Sequence, residues 1–283
     1  MKLECRLTGT RRWTALAVAL GAMALAPVTL GAEQRRASVT VPPQNPGTAT
    51  AKCKSGQVAL AAGFGVSQFD PNSNGGPIAR LVSMPAGKDG VTTTGFNFNN
   101  TDSGTLYSYA YCGKRTRPPK VVSNDVEVEA NTVGTVVAKC PQGSRAIAGG
   151  FGTDQFIITL VSKRSGNRGW KVAGFNIGDL SSGQPGTLTS YAYCKSPGPK
   201  LVTKSQDKTV STGLKTTNVK CPHGGKAVSG GFDGNINTSG SQLNAAGALT
   251  SKRYAHASGW TTEAISAGAP NEATITTYAY CRR

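Results

Sequence analysis

Cys140-Pro141-Gln142-Gly143, running through Gly149-Gly150-Phe151 to Tyr191-Ala192-Tyr193-Cys194, decides how this chain is read, because it occurs three times. Cys53-Lys54-Ser55-Gly56, Ala62-Gly63-Phe64 and Tyr109-Ala110-Tyr111-Cys112 precede it. Cys221-Pro222-His223-Gly224, Gly230-Gly231-Phe232 and Tyr278-Ala279-Tyr280-Cys281 follow it. A fixed period of about 80 to 90 residues marks one structural unit copied in tandem. The copies span residues 33–113, 121–195 and 201–283. Lys114 to Lys120 and Ser196 to Lys200 lie between them, proline-rich, basic and free of apolar residues, which is the composition of semi-rigid spacers. The expectation is therefore three separate β units. The alternative is a single pseudo-threefold β-prism in which each copy supplies one face around a shared core.

Within a copy, short β-type runs rich in Val, Thr and aromatics are bounded by Gly, Pro and Asn, so the fold class is all-β. The second copy predicts strands at Val126 to Glu129, Thr135 to Cys140, Arg145 to Gly149, Phe156 to Lys163, Trp170 to Ile177 and Thr187 to Cys194. Val91 to Phe98 and Trp260 to Ser266 answer the fifth strand in the other copies. Five or six antiparallel strands make a small sandwich or Greek-key unit. Cys-Pro-x-Gly is a tight turn, with proline fixing φ and glycine accepting a positive φ. The Gly-Gly-Phe step predicts a bulge or a close backbone approach in the third strand. Side chains alternate across the closing strand. Leu188, Ser190, Ala192 and Cys194 share a packed face, while Tyr191 and Tyr193 share the other.

Arg11 and Arg12 precede an uncharged, Ala- and Leu-rich run from Trp13 to Ala32, the pattern of a secretory signal peptide covering residues 1–32. Thr10-Arg11-Arg12-Trp13 also resembles the twin-arginine signal, so either export route fits. Beyond that segment six cysteines remain, two per copy. An even count in an exported chain reads as disulfides. Only the within-copy pairing Cys53–Cys112, Cys140–Cys194 and Cys221–Cys281 treats the three copies alike. Each bridge closes a loop of about 55 to 60 residues, which constrains the unfolded chain by about 4 kcal/mol. Zinc would need ligand pairs two to four residues apart, and that spacing is missing.

Cys-Pro-x-Gly, Gly-Gly-Phe, Gly-Trp and Tyr-Ala-Tyr-Cys together resemble the repeat of an uncharacterised family of secreted proteins in high-GC Gram-positive bacteria, over almost the whole chain beyond residue 32. The first copy departs from that pattern, with Lys54 for proline and Val91 for tryptophan. The step from Cys-Pro-x-Gly to Gly-Phe is also distantly similar to vitelline membrane outer layer protein, and that likeness implies a threefold β-prism. Neither resemblance implies a catalytic residue, a metal or a cofactor.

Residues for catalysis are sparse. Both histidines, His223 and His256, fall in turns of the third copy, and no Gly-x-Ser-x-Gly elbow marks a nucleophile. Acids are few and out of register, so no carboxylate pair stands out. Phosphate-binding and dinucleotide fingerprints are missing too. The reading is not an enzyme and has no cofactor; a hydrolase site in the third copy ranks last. Basic charge points to binding instead. Of 31 Lys and Arg, four precede Glu33; of 14 Asp and Glu, one does, which leaves a formal charge of +14 for the remainder. Lys52, Lys139 and Lys220 stand in one register before the first cysteine of each copy. A basic surface attracts polyanions, among them wall polymers, acidic glycans or extracellular DNA, without specifying a nucleic-acid sequence. Tyr109, Tyr111, Tyr191, Tyr193, Tyr278 and Tyr280 could stack sugar rings, or else pack against the neighbouring copy. The expectation is a secreted or envelope-associated protein making several weak attachments to an anionic or glycan polymer. Its alternative is a coat protein assembling through its repeats.

Overall fold

In the computed structural model of this chain the described residues are 32–67, 78–114, 118–153, 157–178, 183–211, 213–239, 242–267 and 272–282. The expected signal peptide and Cys5 lie outside them, apart from Ala32. Copy one contributes β1 (Glu33–Val41), β2 (Pro46–Lys52), β3 (Gln57–Ser67), β4 (Ile78–Ala86), β5 (Gly90–Asn97) and β6 (Gly104–Lys114). Copy two contributes β7 (Lys120–Val128), β8 (Val133–Lys139), β9 (Arg145–Thr153), β10 (Ile157–Ser165), β11 (Gly169–Asn176) and β12 (Gly186–Lys195). Copy three contributes β13 (Val202–Val210), β14 (Lys215–Lys220), β15 (Lys226–Asp233), the short β16 (Asn237–Ser239), β17 (Gln242–Arg253), β18 (Gly259–Ala267) and β19 (Ala273–Arg282). The fold is all-β, and against an expectation of five or six strands per copy, copies one and two have six and copy three has those six with the short β16 added.

Three antiparallel sheets result, and each one is shared. Sheet 1 runs β1-β6-β3-β17-β18-β14, with β16 beside β17, and joins copies one and three. Sheet 2 runs β2-β5-β4-β9-β12-β7 and joins copies one and two. Sheet 3 runs β13-β19-β15-β10-β11-β8 and joins copies three and two. Within a copy the two three-stranded halves pack on each other, so the small sandwich is real; β5 and β2 lie against β6, for example. The copies are not separate beads, however. A free sandwich would leave β3 and β4, β9 and β10, or β15 and β17 as unpaired inner edges, which are prone to adventitious pairing. Here each inner edge meets that of the next copy, through Phe64 and Ser251, Phe151 and Ser83, and Phe232 and Ser162. Residues Gly31–Arg283 accordingly form one compact unit. The first spacer is also shorter than expected, because β6 runs to Lys114 and β7 begins at Lys120.

The repeated motif explains this closure. Phe64, Phe151 and Phe232 meet edge to face at 5.5, 5.9 and 6.1 Å between centroids, one from each copy. All three are buried. The first glycine of the step makes room for an indole: a Cβ on Gly149 would run into Trp170, and one on Gly230 into Trp260. In copy one Val91 stands at the tryptophan position, and Ala62 correspondingly stands where the other copies need glycine. The second glycine admits the neighbouring copy. A Cβ on Gly150 would strike the carbonyl oxygen of Ser83, and one on Gly231 that of Ser162. One extra residue precedes the step in each third strand, shifting the register between Ala59 and Ala61, opposite Tyr193 and Cys194, and between Ala227 and Ser229. The Cys-x-x-Gly glycines Gly56, Gly143 and Gly224 have φ of 77°, 78° and 68°, as the turn requires.

All three disulfides form as expected, Cys53–Cys112, Cys140–Cys194 and Cys221–Cys281. Each ties one sheet to the next, since the first cysteine follows β2, β8 or β14 and the second lies in β6, β12 or β19. Asn97 and Asn176 are structural. Their buried amides donate to the carbonyls of Val41 and Asp102, and of Val128 and Gln184.

Candidate functional site

Lys52, Lys139 and Lys220 end β2, β8 and β14, which are the outer edge strands of sheets 2, 3 and 1. All three side chains are exposed, each beside a buried residue on its strand. The structure therefore places them on three different sheet faces.

The tyrosine pairs divide differently. Tyr111, Tyr193 and Tyr280 are no more than 1 % exposed, so a ligand cannot stack on them. Tyr111 packs edge to face on Trp260, and Tyr280 on Trp170, with centroids 5.4 and 5.7 Å apart. Both pairs cross between copies. The Tyr111 hydroxyl accepts the Arg253 backbone N–H at 2.6 Å, and that of Tyr280 accepts the Arg164 N–H at 2.7 Å. The guanidinium of Arg253 also lies 4.3 Å from the Tyr111 ring centre, and Arg164 lies 5.4 Å from that of Tyr280. Burial raises all three phenol pKa values and lowers those of Arg164 and Arg253. These tyrosines are seam residues. The sequence offered that alternative, and burial selects it.

The seam between copies one and two lacks these partners. Ser162-Lys163-Arg164 and Ser251-Lys252-Arg253 correspond to Ser83-Met84-Pro85. Proline has no N–H to donate, and the Tyr193 hydroxyl has no partner among the described residues. Ser83 Oγ is likewise buried without one. Its counterparts Ser162 and Ser251 accept the indole N–H groups of Trp170 and Trp260 at 2.9 and 2.8 Å.

The outward row that crosses each sheet through the first tyrosine sets the surface chemistry. Directly paired residues point the same way. On sheet 1 the row is Arg36, Tyr109, Gly63, Lys252, Thr261 and Asn218. On sheet 3 it is Ser205, Tyr278, Gly231, Lys163, Lys171 and Val137. On sheet 2 it is Ser123, Tyr191, Gly150, Met84, Thr92 and Thr50. Tyr109 is buried beneath cations. Lys252 lies 6.0 Å from its ring centre, while Arg36 lies 5.3 Å from that of Tyr107, which stacks on Tyr109. Burial raises the Tyr109 pKa, against an opposing effect of Arg36. On sheet 3 Lys163 lies over Tyr278 but is ion-paired to Asp233. Burial acts to lower the Lys163 pKa, and Asp233 outweighs it, so the ammonium is held above its usual range. On sheet 2 no cation occupies the row, Tyr191 is half-buried, and Asp125 and Glu127 are exposed on the adjoining edge strand β7.

Arg36, Lys163, Lys252, Arg164 and Arg253 were not picked out from the sequence. A signal was present: Lys-Arg follows serine at the same place in copies two and three, and Met-Pro replaces it in copy one. Of the chemistry-bearing residues, His223 and His256 are exposed turn residues with φ of 51° and 52°. Among the described residues no three His, Cys, Asp or Glu side chains cluster as metal ligands, and no helix is long and apolar enough to cross a membrane. No protein-family model matches this chain, and no curated protein does so.

Proposed function

We propose that this protein is exported and non-enzymatic, and that it makes several weak attachments to an anionic polymer at or outside the cell envelope. The observation that carries this reading is the outward display of cations: Lys52, Lys139 and Lys220 on three faces, joined by Arg36 and Lys252 on sheet 1 and Lys171 on sheet 3. The disulfides suit an oxidising compartment. Because the copies share their sheets, the attachment points sit on one compact unit, and avidity depends on whether a polymer can reach two faces at once. Sugar stacking on the inner tyrosines is no part of this reading. The test is retention of the oxidised chain on anionic and neutral matrices across rising salt. Retention on anionic matrices that salt releases supports the proposal. Equal retention on an uncharged polysaccharide, or no retention at all, refutes it and favours assembly of a coat.

A further inference from the structure

The three faces carry the same strands and the same tyrosine, but their charges are not equally available. On sheet 3 the Lys163 ammonium is already paired with Asp233, and Asp207 is displayed beside Thr276. On sheet 2, Lys52 shares its face with Asp125 and Glu127. On sheet 1, Arg36, Lys252 and Lys220 share a face with one acid, Glu263, and none of the three cations is within ion-pairing distance of a carboxylate among the described residues. Two of them are also held in place. Arg36 lies over Tyr107, which stacks on Tyr109, and Lys252 approaches the Tyr109 ring from the next copy. A cation resting on an aromatic ring loses less side-chain freedom when it meets an anion, which favours binding there.

The geometry of the row adds a direction. It crosses six strands, and at about 4.8 Å per strand it extends about 24 Å perpendicular to them. Gly63 stands between Tyr109 and Lys252 and adds no side chain of its own, its place being covered by the Tyr111 hydroxyl and the Ser251 carbonyl. Beyond Lys252 it continues as Thr261 and Asn218, hydrogen-bonded to each other at 2.7 Å, with Lys220 further along the same outer strand. Cations flanking the exposed Asn218 amide match a polymer whose charges are spaced by hydroxyls. The row does not offer an exposed aromatic platform on which nucleic-acid bases could stack, because Tyr109 is only 5 % exposed.

We infer that sheet 1 is the principal binding face, and that it takes a linear acidic polysaccharide laid across its strands, with carboxylates at Arg36, Lys252 and Lys220. This rests on the attachment reading above and narrows it from three equivalent faces to one.

Polygalacturonate is a suitable probe, with dextran and single-stranded DNA as comparisons, in titrations of the oxidised full chain. Arg36→Gln with Lys252→Gln should weaken polygalacturonate binding about tenfold or more. Lys163→Gln with Lys171→Gln, which removes as many charges from sheet 3, should change it less than about twofold. Lys220→Gln alone should weaken it several-fold. Unchanged urea midpoints and near-ultraviolet circular dichroism would show that the variants are folded. Equal losses from the two double variants would mean that only total charge matters, and would overturn the single-face inference while leaving attachment intact. Tighter binding of single-stranded DNA than of polygalacturonate would overturn the polysaccharide assignment. Failure of the unmodified chain to bind any anionic probe would overturn both readings.

Discussion

Gly149 is the most informative position to perturb, because copy one already contains the compensated version. In Gly149→Ala the new Cβ would fall roughly 1 Å inside the 3.4 Å at which ordinary contact with the Trp170 ring begins. The indole is buried and cannot swing into solvent. Overpacking of this kind costs about 1–3 kcal/mol. If the ring moves, its N–H also leaves Ser162 Oγ, and an unsatisfied buried pair adds about 1–3 kcal/mol. We predict about 3 kcal/mol of destabilisation in urea unfolding of the oxidised chain. For a body of this size that corresponds to a fall in Tm of about 6–12 °C. Trp170→Val alone should be costly, at about 3 kcal/mol or more, since it empties a large buried volume. In the Trp170→Val background, however, Gly149→Ala should cost less than about 0.5 kcal/mol, because the pair then reproduces Ala62 beside Val91. A double-mutant cycle reads the coupling directly. If the alanine costs the same in both backgrounds, the glycine is not there to accommodate the indole, and the account of the motif is wrong.

Other outcomes follow from the seams and the buried phenols. Tyr111→Phe and Tyr280→Phe should each destabilise by about 1–3 kcal/mol by orphaning the Arg253 and Arg164 amides, whereas Tyr193→Phe, whose hydroxyl lacks a partner, should be neutral or stabilising in the same urea assay. Equal effects at the three sites would contradict the seam asymmetry. Because burial raises the Tyr111, Tyr193 and Tyr280 pKa values above the unfolded value near 10, their contribution is complete below pH 10 and is lost as pH rises beyond it. Phenolate absorbance should therefore appear together with loss of near-ultraviolet circular dichroism; ionisation of all eight tyrosines in a chain that stays folded would refute this. Replacing Cys140 and Cys194 together by serine should cost about 4 kcal/mol by releasing a 54-residue separation in the unfolded chain, measured by urea midpoint at a constant m-value.

The sequence carried the local structure further than the assembly. Strand positions were legible because Gly, Pro and Asn bound them, and the disulfide pairing because repetition leaves one symmetric solution. The main boundary miss was β7, where Lys120-Val121-Val122-Ser123-Asn124 continues a polar, basic spacer and has no alternation strong enough to announce a strand. What composition could not convey was which edges pair. Prolines in the spacers signal separation along the chain, yet β3 meets β17, far away in sequence, at Phe64 and Ser251. The tyrosines were ambiguous for a related reason: alternation put Tyr111, Tyr193 and Tyr280 on an outward face, and only the neighbouring copy turns that face inward. The paired change of Ala62 and Val91 could have been read from the sequence as a packing partnership, and it points to the third strand facing the fifth.

Closure of the sheets has a consequence for how such a chain can vary in length. Copy three pairs back onto copy one through β17 and β3, so every inner edge is used and the three phenylalanines fill the meeting point. A fourth copy has nowhere to enter without opening a seam and dispersing that trio, whereas an open array would accept any number. The count of three is thus a property of the geometry. By the same reasoning the covalent order of the copies is nearly incidental: the contacts would be the same if the chain began at the second copy, or if three single copies met as separate chains, with the spacers contributing only the proximity that concentration would otherwise have to supply.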